Sequence, residues 1–573
     1  MRRLLVYMKG YYKECVLSPL FKMLEAGFEL IIPLVVASII DVGIAGNDGS
    51  YIIKACLIMA ALGLIGLTCT LFAQYFAAKA SCGFVAKIRH ALFSHISSLS
   101  YTEIDTLGTS TLITRMTSDA NQVQSGVNLT LRLFMRSPII VLGAMTMALI
   151  VDVKTSLIFL ATIPLLALVV FGIMCLTIPL YKKVQNKLDS VLNTSRENLS
   201  GVRVIRAFRL EENEKNKFHQ KTEDLNKAQK FVGRISAIMN PLTYAIVNIS
   251  IAILIWSGAI EVNSGNLTQG EVIAIYNYMS QILIELIKLA NLIITITKSV
   301  ASANRIQGVF DVQPSQSITL TDNNEKTDNV VEFKNVSLKY ASSPEYTLEN
   351  INFSVKKGET VGIIGATASG KTSLINLIGR FYDATCGEVL VDGKNVNSYD
   401  TEILREKIGV VPQKAVLFKG TLRENLLWGD KNASDSDIMR AIEIAQAKDI
   451  IEAKAQGLDF QIEQGGKNLS GGQRQRLTIA RALVGKPQIL ILDDSSSALD
   501  YATDASLRRE IAKIEYNPVV FIVSQRTASI EHADKIIVLD DGKIESIGTH
   551  SELLEKSVVY SEIYNSQFRR EDV

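Results

Sequence analysis

Six long apolar windows constrain this chain more than any other feature of its sequence. A helix needs about 20 mostly apolar residues to cross the hydrocarbon core of a bilayer. Six windows reach roughly that length, at 17–41, 51–78, 133–151, 156–179, 235–260 and 271–297 of the 573 residues. The third is the weakest because Arg132 and Arg136 stand at its start. We therefore predict an all-α domain of six transmembrane helices over residues 1–311, with the lipid bilayer as its surroundings.

The distribution of basic residues predicts the orientation of these helices. The short connections 41–50, 152–155 and 261–270 contain one basic residue, Lys154, whereas 180–238 contains thirteen. Cytoplasmic loops carry an excess of Lys and Arg. Both termini are therefore predicted to be cytoplasmic, in a multi-pass protein of the cell membrane.

Two long connections, about 79–130 and 180–235, are predicted on the same side of the membrane, and both have helical sequences. If each folds as two arms of about 24 residues, the arms extend roughly 35 Å below the bilayer. The alternative is a basic loop without such arms. The polar stretch 312–329 then predicts a linker, and 330–573 a soluble domain. A net charge of only +2 gives no indication of nucleic acid as a partner.

The soluble domain contains a phosphate-binding loop between a predicted strand and a predicted helix. The loop matches the pattern G-x-x-x-x-G-K-[ST], in which backbone N–H groups surround phosphate oxygens at a helix N-terminus. The lysine of this pattern reaches the β- and γ-phosphates, and the hydroxyl residue binds Mg²⁺. The predicted nucleotide-binding residues here are Gly365, Ala366, Thr367, Ala368, Ser369, Gly370, Lys371, Thr372 and Ser373.

A second motif supplies carboxylates. The apolar run Ile489-Leu-Ile-Leu492 leads directly into Asp493 and Asp494. A buried strand that ends in an aspartate delivers a carboxylate to a magnesium site. ATP and Mg²⁺ are therefore the predicted ligands, with Thr372 and Asp493 as metal ligands.

A third motif, Leu469-Ser470-Gly471-Gly472-Gln473, resembles the signature motif of ABC transporters. The resemblance implies that Ser470, Gly471, Gly472 and Gln473 close over ATP held by an opposite subunit. It extends along the whole chain and implies an α/β P-loop ABC nucleotide-binding domain fused to a six-helix membrane domain with long cytoplasmic helical extensions. The sequence RENLSGVRVIRAF resembles the loop that holds a coupling helix in exporters.

Three single residues match other positions of the family. Tyr340 corresponds to the aromatic residue that stacks on adenine, Gln413 to the glutamine of the Q-loop, expected in catalysis and as a metal ligand, and Asp500 to the aspartate of the D-loop. The alternatives are a core tyrosine at a strand end, a surface glutamine and a turn aspartate.

Two catalytic positions depart from the family pattern. Asp494 stands where a glutamate normally polarises the attacking water, and Gln525 stands where a histidine normally contacts the γ-phosphate. The resemblance then implies a site that binds ATP-Mg but hydrolyses it slowly, as in the less active half of bacterial heterodimeric multidrug exporters. The expected partner is a second ABC half-transporter with an intact catalytic pair. A homodimer with two poor sites is the alternative.

Polar residues in the first and last apolar windows predict a substrate cavity. Such residues at membrane depth usually face a partner or a wet cavity. The predicted cavity residues are Glu25, Glu29, Gln281, Glu285, Lys288 and Asn291. The alternatives are a snorkelling Lys22 and a structural ion pair between Glu285 and Lys288. Export of small lipophilic or drug-like compounds is the leading hypothesis. The alternatives are a lipid or peptide exporter, a regulatory ABC subunit that does not pump, and a membrane-tethered soluble ATPase.

Overall fold

The computed structural model describes residues 2–316, 327–341 and 343–568. The chain divides into two compact units. The first contains Met1–Ser97 and Ser110–Asp311, and the second contains Ser98–Thr109 and Val312–Val573. Part of the predicted linker, residues 317–326, lies outside the described residues.

Helices make up the N-terminal part of the chain. In chain order they are α1 (Tyr12–Ser38), α2 (Gly49–Ser98), α3 (Tyr101–Leu107), α4 (Thr109–Thr114), α5 (Ala120–Leu133), α6 (Arg136–Val151), α7 (Val153–Ser200), α8 (Val202–Ala207), α9 (Glu211–Ala237), α10 (Met239–Asn263) and α11 (Gln269–Phe310). Six helical stretches of the described chain are long and apolar enough to cross a membrane, which confirms the predicted six-helix membrane region.

The helices are longer than the apolar windows within them. Helix α2 has 50 residues and α7 has 48. At 1.5 Å per residue each is about 70–75 Å long, more than twice the hydrocarbon thickness. The predicted helical extensions are therefore continuations of the membrane helices. The third window begins as helix α6 at Arg136, three residues later than predicted.

Local sequence fixes where two of these helices begin. The Asp152 carboxylate accepts a hydrogen bond from the Thr155 N–H at 2.6 Å and caps α7. Thr268 and Glu271 form a capping box at the start of α11. Capping side chains satisfy N–H groups that have no partner within the helix. Inside this unit the buried Tyr278 hydroxyl donates to the Leu30 carbonyl oxygen at 2.7 Å, which joins α11 to α1.

The second unit is built on strands and shorter helices. The strands are β1 (Asn329–Leu338), β2 (Leu348–Lys356), β3 (Thr360–Gly365), β4 (Cys386–Val391), β5 (Lys394–Asn395), β6 (Ile408–Val411), β7 (Gly420–Thr421), β8 (Gln461–Ile462), β9 (Ile489–Asp493), β10 (Val519–Val523), β11 (Lys535–Asp540) and β12 (Lys543–Gly548). The helices are α12 (Lys371–Ile378), α13 (Thr401–Glu406), α14 (Leu422–Leu426), α15 (Asp435–Ile444), α16 (Lys448–Glu452), α17 (Gly471–Val484), α18 (Tyr501–Ala512), α19 (His550–Lys556) and α20 (Val558–Phe568).

Two sheets organise this unit. An antiparallel sheet has the order β2-β1-β4-β5, and a six-stranded sheet has the order β12-β11-β3-β10-β9-β6. Within the larger sheet β11, β3, β10, β9 and β6 are parallel. Strands β9 and β10 are buried along their whole length, because parallel sheets are covered on both faces. Parallel order places the carboxyl ends of these strands at one edge, where ligands of α/β proteins bind.

Helix α3 belongs to the second unit although it lies in the N-terminal part of the sequence. Its Tyr101 ring packs edge-on against Phe381, with centroids 5.2 Å apart. Its Asp105 carboxylate accepts a hydrogen bond from the Tyr382 hydroxyl at 2.6 Å. Burial and this carboxylate raise the pKa of Tyr382, so its hydroxyl stays protonated and keeps donating. The first long connection therefore contributes a helix to the second unit.

Candidate functional site

Four neighbouring strand ends deliver the predicted catalytic residues to one cavity. Strand β3 leads into the glycine loop, β9 into Asp493 and Asp494, β10 into Gln525, and β6 is followed by Gln413. These strands are adjacent in the order β3-β10-β9-β6. The cavity has a volume of about 340 Å³ and is lined by residues 367–373 together with Gln413, Asp493, Asp494 and Gln525.

The glycines of the loop are required by close packing. A Cβ on Gly365 would lie 2.1 Å from the Leu539 carbonyl oxygen. Gly370 has φ +95°, and a Cβ there would lie 2.9 Å from the Thr347 carbonyl oxygen. Ala368 has φ +66°, a left-handed conformation that favours glycine, so this loop position carries backbone strain. The loop is thus a tightly fixed turn that opens onto the N-terminus of α12.

Lys371 holds the loop from inside. Its ammonium group donates to the carbonyl oxygens of Gly365 at 2.9 Å and Ala366 at 2.6 Å. Burial lowers the pKa of Lys371, and the nearby carboxylates of Asp494 and Asp493 oppose that shift. A cation at a helix N-terminus beside free backbone N–H groups fits a polyphosphate.

Oxygen ligands for a divalent cation meet beside the loop. The Thr372 hydroxyl lies 3.1 and 3.2 Å from the two carboxylate oxygens of Asp493. Burial raises the pKa of Asp493, and the hydrogen bond from Thr372 partly offsets this effect. Hydroxyl and carboxylate oxygens beside a phosphate site are the donors that Mg²⁺ takes. These residues therefore fit the predicted metal.

Asp494 is placed for a different role. Its backbone turns away from β9 with φ +46°, a conformation that Asp adopts more readily than most residues. Its carboxylate accepts a hydrogen bond from the Gln413 side-chain amide at 3.3 Å. Gln413, predicted for both catalysis and metal binding, thus contacts Asp494.

Tyr340 and Asp500 lie outside the cavity lining. The Tyr340 hydroxyl donates to the Ser373 hydroxyl at 2.8 Å, which ties this half-buried ring to the start of α12. Asp500 caps α18, because its carboxylate accepts from the backbone N–H of Thr503 at 2.9 Å and from its hydroxyl at 2.8 Å. Those hydrogen bonds lower the pKa of Asp500.

The signature sequence begins α17 and lies apart from the cavity of its own chain. Ser470 and Gln473 form a capping box, in which the Gln473 side chain accepts from the Ser470 N–H at 2.9 Å. A Cβ on Gly471 would meet no heavy atom of the described residues within 4 Å, apart from its neighbours and its own helix backbone. Its φ is not in the left-handed region. A Cβ on Gly472 would lie 3.1 Å from the Ala498 carbonyl oxygen.

In the membrane unit, a buried arginine organises the predicted cavity residues. Arg136 donates from Nη1 to Glu285 and from Nη2 to Glu29, the latter at 2.6 Å. The Glu285 carboxylate also accepts from the Ser137 hydroxyl at 2.9 Å and from Lys288 at 2.7 Å. Glu285 therefore has several partners, and its ion pair with Lys288 is the one expected under the alternative to a substrate cavity. Arg136 was not among the predicted cavity residues.

The same cluster continues to α1. The Glu25 carboxylate lies 2.5 Å from Lys22 Nζ and 3.8 Å from Arg136 Nε. Together the cluster contains three carboxylates and three cations. These residues are Lys22, Glu25, Glu29, Arg136, Glu285 and Lys288. Its formal charge is zero.

The two predicted amide residues of the cavity are not in this charge cluster. The Gln281 side-chain oxygen is buried and has no hydrogen-bond partner among the described residues. Asn291 lines a separate cavity of about 220 Å³ between α7, α9, α10 and α11, together with apolar residues such as Met174 and Ile287. The sequence did contain a signal for Arg136, because an arginine at the start of a transmembrane window needs a charged or polar partner.

Family models match both units. The model described as ABC transporter transmembrane region matches residues 15–286. The model described as ABC transporter matches residues 348–497, which include the glycine loop, the signature sequence and Asp493. Both matches agree with the motifs and geometry above.

Several known proteins are similar over nearly the whole chain. The uncharacterized ABC transporter ATP-binding protein YfiB of Bacillus subtilis strain 168 is 35% identical over 573 residues, covering 100% of this chain and 99% of YfiB. The putative multidrug export ATP-binding/permease protein YgaD of the same organism is 31% identical, covering 99% of each chain. A bacterial Atm1-family ABC exporter with ATP bound has the same fold, with a TM-score of 0.78 at 22% identity, covering 98% of this chain and 99% of that one.

Proposed function

This chain belongs to the ABC transporter family, as a half-transporter whose membrane region is fused to one ATP-hydrolysing domain, and we propose that it is the degenerate-site subunit of a heterodimeric exporter. Exporters of this kind act as dimers. Their ABC domains bind ATP. In the proposed pair, this subunit holds ATP-Mg with its own loop and lends its signature sequence to the catalytic site of its partner.

One observation carries the proposal: a single cavity combines an intact binding set with two altered catalytic positions. Lys371, Thr372 and Asp493 line it together with Asp494 and Gln525. Asp494 is one methylene shorter than glutamate, so its carboxylate is retracted by about 1 Å, and a misplacement of that size costs about a hundredfold in rate. Mg²⁺ held by Thr372, Asp493 and Gln413 would neutralise phosphate charge. Binding is therefore retained while hydrolysis is slow.

The signature sequence supports a role toward a partner. Nothing in the part of the chain that the structure describes explains a glycine at position 471, because its Cβ would meet open space there and its backbone is not left-handed. Glycine at a helix N-terminus lets a phosphate approach the backbone closely. A nucleotide held by another subunit is the ligand that this surface fits.

A second surface also supports a dimer. The segment that resembles a coupling helix forms α8, and the apolar side chains around it are exposed, including Leu199 at 78% and Phe208 at 72%. Exposed apolar patches mark interaction sites. We assign α8 and these exposed side chains to a contact with the ATP-binding domain of the partner subunit.

The membrane cluster favours substrates that do not need to supply a charge. Its carboxylates and cations neutralise each other, and the cavity next to Asn291 is lined mainly by apolar side chains. Small lipophilic or drug-like compounds fit this chemistry. A lipid exporter is the second candidate, because the same neutral lining fits a lipid. The basic residues of the connection 180–238 support an orientation in the cell membrane with both termini in the cytoplasm.

The test restores the altered catalytic pair. In the purified dimer, Asp494→Glu with Gln525→His is expected to raise the ATPase rate, by up to about a hundredfold at this site. The matched control adds Lys371→Ala to the same double variant, which removes the loop cation and should abolish the gain. An unchanged rate in the restored variant contradicts the proposal.

Two further measurements separate the alternatives. ATP-dependent uptake into inside-out vesicles distinguishes a pump from a regulatory subunit. A fluorescent lipid tested beside an uncharged lipophilic dye separates lipid export from drug export. If the polypeptide alone forms an active ATPase and transporter without a second type of chain, the heterodimer is wrong.

A further inference from the structure

Helix α20 contacts the backbone of the loop that presents Gln525. The Gln567 side-chain amide donates from Nε2 to the Gln525 carbonyl oxygen at 2.8 Å. Its Oε1 accepts from the Thr527 backbone N–H at 3.0 Å and from the Thr527 hydroxyl at 3.0 Å. One side chain therefore bridges the loop on both sides of Arg526.

This bridge requires an amide. The Gln525 carbonyl oxygen needs a donor, and the Thr527 N–H needs an acceptor at the same place. Among side chains of this length, only glutamine offers an N–H donor and a carbonyl acceptor together, since glutamate has no donor and lysine has no acceptor. The length and chemistry of Gln567 match the loop.

The helix that carries Gln567 is fixed to the domain core. Tyr560 in its first turn is fully buried, and its hydroxyl lies 2.7 Å from His550 Nδ1. Val559 and Ile563 pack against the hydrophobic cluster beneath the six-stranded sheet. A side chain on such a helix can hold a loop in a defined position.

The other end of the loop is fixed as well. Ser524 continues β10, with its N–H bonded to the Ile363 carbonyl oxygen at 3.1 Å, and its hydroxyl accepts from the Arg526 N–H at 2.9 Å. Ser524 and Thr527 are completely buried, whereas Gln525 between them is exposed and lines the cavity. The backbone is therefore anchored on both sides of Gln525, by Ser524 at the cavity wall and by Gln567 from α20.

We propose that Gln567 is a positioning residue that sets how Gln525 meets the γ-phosphate of ATP bound to this chain. The proposal rests on the proposed role of Gln525 and extends it to a helix remote in sequence. Its consequence is that this site distinguishes ATP from ADP partly through α20. ADP lacks the γ-phosphate, so its binding is independent of the bridge.

The experiment compares ATP and ADP binding by this polypeptide in the full-length dimer. Photolabelling with 8-azido-ATP and 8-azido-ADP reports on the nucleotide held by this chain. Gln567→Met removes both hydrogen-bonding functions and should weaken ATP binding about three- to tenfold, with ADP binding unchanged. Gln567→Glu keeps the acceptor and loses the donor, so its effect should be smaller.

The same helix provides a matched control. Ser566 is exposed, and its hydroxyl donates to the Ile563 carbonyl oxygen in the same helix at 2.7 Å, so Ser566→Ala should leave both affinities unchanged. Equal loss of ATP and ADP binding in Gln567→Met, or no loss of either, overturns the proposal. If Gln567→Met does not fold, ATP and ADP binding are compared in Gln567→Glu, and the same two outcomes overturn the proposal.

A further variant separates this proposal from the one on which it rests. Gln525→Ala should reduce ATP binding without affecting ADP binding. If Gln525→Ala has no effect, the proposed role of Gln525 fails. If Gln525→Ala selectively weakens ATP binding and neither Gln567 variant does, only the positioning role fails.

Discussion

The two units each contain a buried cluster of charged residues, and the two clusters are arranged in opposite ways. In the ATP-binding unit, Lys371 is held by backbone carbonyl oxygens while Asp493 and Asp494 line the same open cavity. In the membrane unit, Arg136 and Glu285 pair directly and are buried. One cluster leaves its charges available to a ligand, and the other satisfies them internally.

The difference shows which of the two clusters needs a charged ligand. A charge inside a protein is costly unless it is paired or meets a charged ligand. The ATP site therefore selects a polyphosphate and a divalent cation by charge. The membrane cluster has no net formal charge and makes no such demand on a ligand.

The largest expected effect comes from breaking the internally paired cluster. Arg136→Met leaves the Glu285 carboxylate buried without its arginine and is expected to cost about 3–5 kcal/mol of stability. The measurement is the thermal unfolding midpoint of the purified protein. Arg136→Met combined with Glu285→Gln should recover most of the loss, because, of the remaining partners, Glu25 still pairs with Lys22 and Glu29 is 38% exposed.

Lys288 serves as the control for that comparison. Its ammonium also pairs with Glu285, but its side chain is 43% exposed. Lys288→Met is therefore expected to change stability by no more than about 1 kcal/mol. Equal effects of Lys288→Met and Arg136→Met would contradict the view that Arg136 organises the cluster.

The next largest expected effect is on ATP affinity and concerns Lys371, whose charge is available to a ligand. Lys371→Ala should weaken ATP binding by about 1.5–3 kcal/mol, or roughly 10- to 100-fold, because hydrogen bonds to a charged donor are lost. Nucleotide titration of the full-length dimer measures this change. Lys357→Ala alters an exposed lysine in the turn before β3 and should have no effect. A loss of affinity in both variants would indicate a general charge effect.

The smallest expected effect is on the stability of the ATP-binding unit and concerns backbone strain in its glycine loop. Ala368→Gly should stabilise the nucleotide-free protein by about 1 kcal/mol, since glycine adopts the left-handed conformation without strain. Ala366→Gly in the same exposed loop is the control, because Ala366 has no positive φ and should lose about 0.5–1 kcal/mol through the added freedom of the unfolded chain. Differential scanning fluorimetry compares the two variants. Destabilisation of the same size in both would show that Ala368 stores no strain.

Much of the ATP site could be predicted because its chemistry is local in sequence. The pattern from Gly365 to Thr372 is continuous, and Asp493 follows directly from its apolar strand. Gln413 and Gln525 were found through the family resemblance. The strained φ of Ala368 and the bridge from Gln567 have no sequence signal of their own, because both depend on how separate segments pack.

The amino-acid sequence alone determined the six membrane-crossing helices, the α/β domain and the order of the nucleotide motifs, since apolar length and short motifs are properties of contiguous residues. Only the tertiary structure decided which charges meet. It joined Arg136 to Glu29 and Glu285, placed α3 in the ATP-binding unit, and brought Gln567 to the loop of Gln525. The physical reason is that these contacts join positions from 42 to 277 or more residues apart, so no local pattern encodes them.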